Sequence, residues 1–260
     1  MTGADAGAPV HRVLPDGCMD VLVRVGRGGD ADGSVVGTMT RAIVMPEAAV
    51  SGFAGIRFLP GEAFAFLDVR AGDARDLLLT PLDAGLGEVG ELVERVATEA
   101  PSRWAKALEV WLLSRLSRVR PADPRVRATV DRLHAGRGTP RVQALAAGVG
   151  VSERHLERAF AERVGVSPKL LARVLRLQAL VGSVDRARTI APLVSLPWAA
   201  LAAEHGFADQ AHLVREVRAL AGVTPTDLVR ERVSGFFNTD DSIAPTYPGH
   251  APALSPRSSR

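Results

Sequence analysis

The sequence predicts an α+β multidomain chain. A small antiparallel β barrel or sandwich with helices comes first, and an all-α domain built on a repeated helical hairpin follows. Three observations predict this. A residue pattern near the C-terminus occurs twice. Short strand-like runs punctuated by turns occupy residues 13–68. Acidic and basic charge separate between the two parts of the chain.

The repeat carries the most information. Its first copy reads Leu145-Ala-Ala-x-x-Gly150, then Leu156-x-Arg158, then Gly165-Val-x-Pro168. Its second reads Leu201-Ala-Ala-x-x-Gly206, then Leu213-x-Arg215, then Gly222-Val-x-Pro225. The offset is 57 residues at the Leu-x-Arg and Gly-Val-x-Pro pairs and 56 at Gly150 and Gly206. The second copy therefore carries one more residue in its turn. Repeats of this kind define supersecondary units. Each copy predicts a helix, a tight glycine turn and a second helix. Gly150 and Gly206 stand where a helix must stop with positive φ. Ser152 and Asp209 follow as N-caps for the second helices.

Those second helices are amphipathic. In the first, Leu156, Phe160 and Val164 share one face, and Arg154, Glu157, Arg158 and Ala161 share the other. In the second, Leu213, Val217 and Leu220 form the inner stripe, while Ala211, Val214, Arg215 and Arg218 face outward. Two helices joined by a short glycine turn form a helix-turn-helix, whose second helix enters the DNA major groove. Two ordinary hairpins with solvated outer faces would explain the periodicity. They would not explain duplication of the glycine, the cap, the Leu-x-Arg and the Gly-Val-x-Pro together.

These residues, above all Gly206-Phe-Ala-Asp-Gln-Ala-His-Leu-Val-Arg215-Glu216, resemble the DNA-binding domain of the AraC family of transcription regulators. The resemblance runs from near Asp123 to near Arg230. It implies a sequence-specific regulator of double-stranded DNA. It also implies base-reading positions at Arg154, Glu157 and Arg158 in the first copy, with Ser152 capping near a phosphate. In the second copy it implies Gln210, Ala211, Val214 and Arg215. Arginine can bond guanine O6 and N7 together, glutamate can accept from cytosine N4, and apolar side chains touch thymine methyls. The chain departs from the family in its core, with Val217, Ala221 and Leu228 where aromatic residues are usual. That implies a smaller second core.

Charge supports the same division. Residues 1–120 carry 13 basic and 16 acidic groups, and residues 121–237 carry 17 basic and 11 acidic. The basic excess falls on the repeat, as phosphate binding requires. The expected domains are 1–120, a regulatory, ligand-sensing or dimerising domain, and 121–237, the DNA-binding domain. A disordered tail at 238–260 follows.

In the first domain, Val13-Leu14 precedes a Pro15-Asp-Gly17 turn, and Cys18–Val25 reads as a strand. A polar loop is expected at 26–33. Further strands are expected at Ser34–Thr38, Arg41–Met45, Ala54–Leu59 and Ala63–Leu67, with a turn at Pro60-Gly61. The Leu14-Pro-Asp-Gly-Cys-Met-Asp20 run and Phe58-Leu-Pro-Gly61 resemble a domain that precedes AraC-type binding domains. Helices are expected at Gly87–Glu99 and Pro101–Val119. In the second, Trp104, Leu108, Trp111, Leu112 and Arg115 form a stripe. That stripe reads as core, or else as a dimer face, because the family often dimerises through such helices. Arg120-Pro-Ala-Asp-Pro124 marks the boundary. A helix from Asp123 to His134, a joining helix from Ser167-Pro168 to about Val184, a loose connection at Arg186–Leu196 and a last helix from Thr224-Pro225 complete the chain.

Other chemistry finds little support. Cys18 is the one cysteine, so thiolate-cluster zinc chemistry is excluded. It reads as a small buried strand residue. Residues 1–120 hold one histidine, His11, too few for a barrel metalloenzyme. No catalytic residue, metal or cofactor is expected. No signal peptide or membrane span is expected, so the chain reads as cytoplasmic. Partners beyond DNA are a small-molecule effector, RNA polymerase and a second copy of the chain. The competing reading is a DNA-targeting module fused to a small-molecule-binding or enzymatic domain.

Overall fold

The computed structural model describes residues 10–46, 50–190 and 196–233 of the 260-residue chain. The expected tail at 238–260 and most of the connection after Ile190 lie outside the described residues.

The N-terminal part holds two antiparallel sheets. Strand β1 (Val10–Val13) pairs with β4 (Ile43–Pro46). Strands β2 (Met19–Gly26), β3 (Ala31–Val36), β5 (Val50–Phe58) and β6 (Leu78–Leu79) form the larger sheet in the order β5-β2-β3-β6. Among the described residues that sheet ends on β5 and β6 and does not close into a barrel. Along β2 the side chains alternate, as a sheet covered on one face requires. Met19, Val21, Val23 and Val25 are buried, while Asp20, Leu22 and Arg24 are half-buried on the other face. On that face Arg57 reaches Asp20 at 2.8 Å and Asp16 at 3.0 Å. Burial pushes the Asp16 carboxyl up, and Arg57 offsets only part of this.

Helices α3 (Val89–Thr98) and α4 (Pro101–Ser114) cover the buried face. Leu92, Val96 and Trp111 join its core, with Trp104, Leu108 and Leu112 packed at the margin. The tryptophan stripe therefore serves its own domain. The opposite face of α4 exposes Val110 and Leu113, and Leu116 is exposed in the 3-10 turn that follows.

Several expectations need correction. Ala63–Leu67 was expected as a strand, but Ala63–Phe66 is a short helix, α1. Its Ala63 and Ala65 are buried, and side chains this small let a helical turn press against the core. The 26–33 loop is shorter than expected because β3 begins at Ala31, where Arg24 and Asp32 form a cross-strand ion pair. Strand β5 starts earlier, at Val50. The short helix α2 (Ala71–Ala74) and strand β6 follow, where only helix was expected after Asp73.

The rest of the described chain is helical. Helix α5 (Pro124–Ala135) starts with Pro at its first position, capped by Asp123, which accepts from Arg125 N at 2.9 Å. Then come α6 (Val142–Gly148), α7 (Glu153–Arg163), α8 (Pro168–Ile190), α9 (Trp198–Glu204), α10 (Gln210–Ala221) and α11 (Pro225–Val233). Helix α8 runs past the expected end near Val184, because no breaker intervenes before Pro192. The helices form two cores. One gathers Val130, Leu133, Leu145, Leu156, Phe160 and Leu171. The other gathers Leu177, Leu180, Leu201, Leu213, Val217 and Leu220.

Candidate nucleic-acid interface

Each repeat copy builds the same local structure. Helix α6 ends into Gly150 and α9 into Gly206, and both glycines have φ of 70°. An L-residue there would meet its own carbonyl, so the turn selects glycine. After each turn a side chain caps the next helix. Ser152 Oγ accepts from His155 N at 3.2 Å, and Asp209 Oδ1 accepts from His212 N at 2.5 Å. In the second turn, His212 Nδ1 also accepts from Ala208 N at 3.1 Å, and its ring meets Phe207 edge-on at 5.6 Å.

The capped helices are anchored by their inner stripes. Leu156, Phe160 and Val164 are buried in the first, and Leu213, Val217 and Leu220 in the second. This anchoring fixes the outer faces. Arg154, Glu157 and Arg158 are all exposed on α7 within about one helical turn, with Ser152 exposed at its start. On α10, Gln210, Ala211 and Arg215 are exposed, and Val214 is half-buried. The structure thus brings the expected residues together as one group on each helix.

Two arginines of α8 tie it to its neighbours. Arg173 on α8 donates to Glu216 on α10 at 2.7 Å. Arg176 donates to Gly138 O at 2.9 Å and lies over the Phe207 ring at 5.5 Å. Glu216 belongs to the signature but is engaged inside the protein. Burial pushes the imidazoles of His134 and His205 below their ordinary range.

Sequence reasoning missed the groups that hold these helices from outside. Thr38 Oγ1 donates to Val164 O at 2.6 Å, Ala42 N to Leu220 O at 2.6 Å, and Arg12 Nη1 to Ala221 O at 2.9 Å. No local pattern could reveal contacts between residues more than a hundred positions apart.

A basic, duplicated helix-turn-helix with two exposed helix faces defines a DNA-binding protein. Residues 145–231 match a family model described as a helix-turn-helix domain, and residues 2–79 match one described as a domain of unknown function. Residues 145–231 thus carry a helix-turn-helix domain of the AraC type. No match was found among curated proteins. Among solved structures, the chain is similar to an apo lysine-to-alanine variant of ToxT from Vibrio cholerae. Identity is 13%, TM-score 0.43, covering 85% of this chain and 91% of that one. It is also similar to wild-type ToxT from Vibrio cholerae bound to an unsaturated fatty acid. Here identity is 11%, TM-score 0.42, covering 85% of this chain and 93% of that one. No described helix is long and apolar enough to cross a membrane.

Proposed function

We propose that one chain reads two adjacent major-groove segments of double-stranded DNA, α7 entering one and α10 the other. The observation that carries this reading is the equivalence of the two copies. Both turn on a glycine of the same φ, cap the next helix with a side-chain oxygen and expose its outer face, the second turn being one residue longer. In the first segment Arg154, Glu157 and Arg158 contact bases, and Ser152 lies by a phosphate. In the second, Gln210 and Arg215 supply hydrogen bonds, while Ala211 and Val214 meet thymine methyls. The half-buried position of Val214 suits a contact at the groove edge.

In this reading, residues 121–237 bind DNA and residues 1–120 regulate them, in the cytoplasm. A small-molecule effector, RNA polymerase or a second chain would act through the N-terminal domain. An effector changes operator affinity only if it binds two states unequally. Footprinting of the full chain on a selected duplex tests the DNA reading. Successive major-groove faces lie about 34 Å apart, so protection should span about two helical turns with two half-sites. Protection of a single short half-site would overturn it.

A further inference from the structure

The two recognition helices end in the same way, and this end is covered by the N-terminal domain. The last carbonyls of a helix have no partner within it. In α7 that position is Val164, followed by Gly165; in α10 it is Ala221, followed by Gly222. Val164 and Ala221 occupy the same place in the two repeat copies, 57 residues apart. Both carbonyls accept hydrogen bonds from the N-terminal domain. Thr38 Oγ1 donates to Val164 O at 2.6 Å, and Arg12 Nη1 donates to Ala221 O at 2.9 Å. Ala42 N adds a bond to Leu220 O at 2.6 Å.

These donors come from one small region. Thr38 and Ala42 lie four residues apart on the segment joining β3 to β4. Arg12 sits on β1, whose residue pairing with β4 sets it opposite Val44. Thr38 is 1% exposed and Arg12 9% exposed, so the contacts are buried. Arg12 also grips Glu231 of α11 with two bonds, at 2.7 and 3.0 Å. A guanidinium at a helix C-terminus is favoured by the helix dipole. Backbone contact is equally close at the first site. A Cβ on Gly72 would lie 2.5 Å from Ala161 O, and one on Gly165 would lie 2.7 Å from Ala71 O.

We infer that Thr38, Ala42 and Arg12 form a gauge that fixes α7 and α10 relative to each other, and so sets the half-site spacing the chain accepts. Thr38 and Arg12 are positioning residues: they touch neither base nor phosphate. The joining helix α8 links the two motifs, with Arg173 and Arg176 as braces. The gauge adds a second connection on a different side. Two connections constrain the angle between two bodies more than one does. A small rotation of the N-terminal domain would then alter spacing without touching a base-reading residue.

This inference rests on the bipartite reading, and its test separates the two. Duplexes selected from a randomised library by the wild-type full chain are rebuilt with the spacer lengthened or shortened by one and two base pairs. Kd is measured for each with wild type, Thr38→Val, Arg12→Leu and the double variant, all checked for cooperative melting. Wild type should prefer one spacer. The variants should flatten that preference, each reducing the penalty for a one-base-pair change by about two- to tenfold, the worth of one hydrogen bond. Base preference within each half-site should stay unchanged. Thr38→Ser, which keeps the hydroxyl, should retain the wild-type profile. Arg12→Lys, which keeps the charge but loses the fork, should give an intermediate one and replaces Arg12→Leu if that variant does not fold. A folded double variant with the wild-type spacer profile would overturn the gauge. A wild type indifferent to spacer would overturn the bipartite reading and the gauge with it.

Discussion

Gly165 and Gly222 are equivalent positions with unequal surroundings, and this makes them a matched experiment. Both have positive φ, 87° and 77°. Alanine at either must adopt a left-handed backbone, which costs about 1–2 kcal/mol. Reduced freedom of the unfolded chain returns about 0.4–1 kcal/mol of that. At Gly222 the new methyl would meet only Arg12 Nη1, at 3.5 Å, an ordinary contact. Gly222→Ala should therefore destabilise by about 0–1.6 kcal/mol. At Gly165 the methyl would lie 2.7 Å from Ala71 O and 3.0 Å from its carbonyl carbon. Backbone cannot swing aside as a flexible side chain does, so α2 must retreat from α7. Overpacking of this kind adds about 1–3 kcal/mol. In scanning calorimetry each kcal/mol lowers the midpoint of a chain this size by about 2–4 °C. Gly165→Ala should then melt several degrees below Gly222→Ala. In the fragment 121–237, which lacks Ala71, the two should melt together. Equal midpoints in the full chain would refute the claim that the N-terminal domain presses on the end of α7.

Two further outcomes are expected. Arg158→Ala should weaken operator binding by about 1–3 kcal/mol and relax preference at one base pair in a binding selection; a uniform loss across all sequences would make it a phosphate contact. The chain should lose thermal stability on acidification. His134 and His205 have folded values below the ordinary imidazole value of about 6.5, because burial disfavours the charged ring. The unfolded chain takes up those protons first, so the contribution is complete above pH ~6.5 and falls as pH drops toward the folded values. His205→Gln should flatten that part of the melting profile, and an unchanged slope would remove His205 from the account.

The DNA-binding half was legible because its signals are local. A glycine turn, a cap three residues ahead of the amide it meets and a stripe at helical spacing all lie within a short stretch of chain. Ser152, Asp209, Leu156 and Leu213 therefore fall where the spacing predicts. The N-terminal half was less legible because packing settles its elements. Ala63–Phe66 alternates in size like a strand, yet it coils against a core that the sequence does not display locally. Leu78–Leu79 becomes a strand only because β3 offers an edge to it. The outward residues of α7 and α10 were readable. The donors at their far ends were not, since Thr38 and Val164 are 126 positions apart and Arg12 and Ala221 209.

Helix α8 holds a further consequence. It supplies Leu171, Ala172 and Leu175 to the first helical core and Val174, Leu177, Leu180, Val181 and Val184 to the second. Neither copy of the repeat owns a complete interior. Opening one would strip apolar surface from the shared helix and expose the other's lining as well. The shared helix predicts that the two copies melt as one cooperative unit rather than as two. Its slowest-exchanging amides should then belong to α8 rather than to α7 or α10, which native-state hydrogen exchange would check.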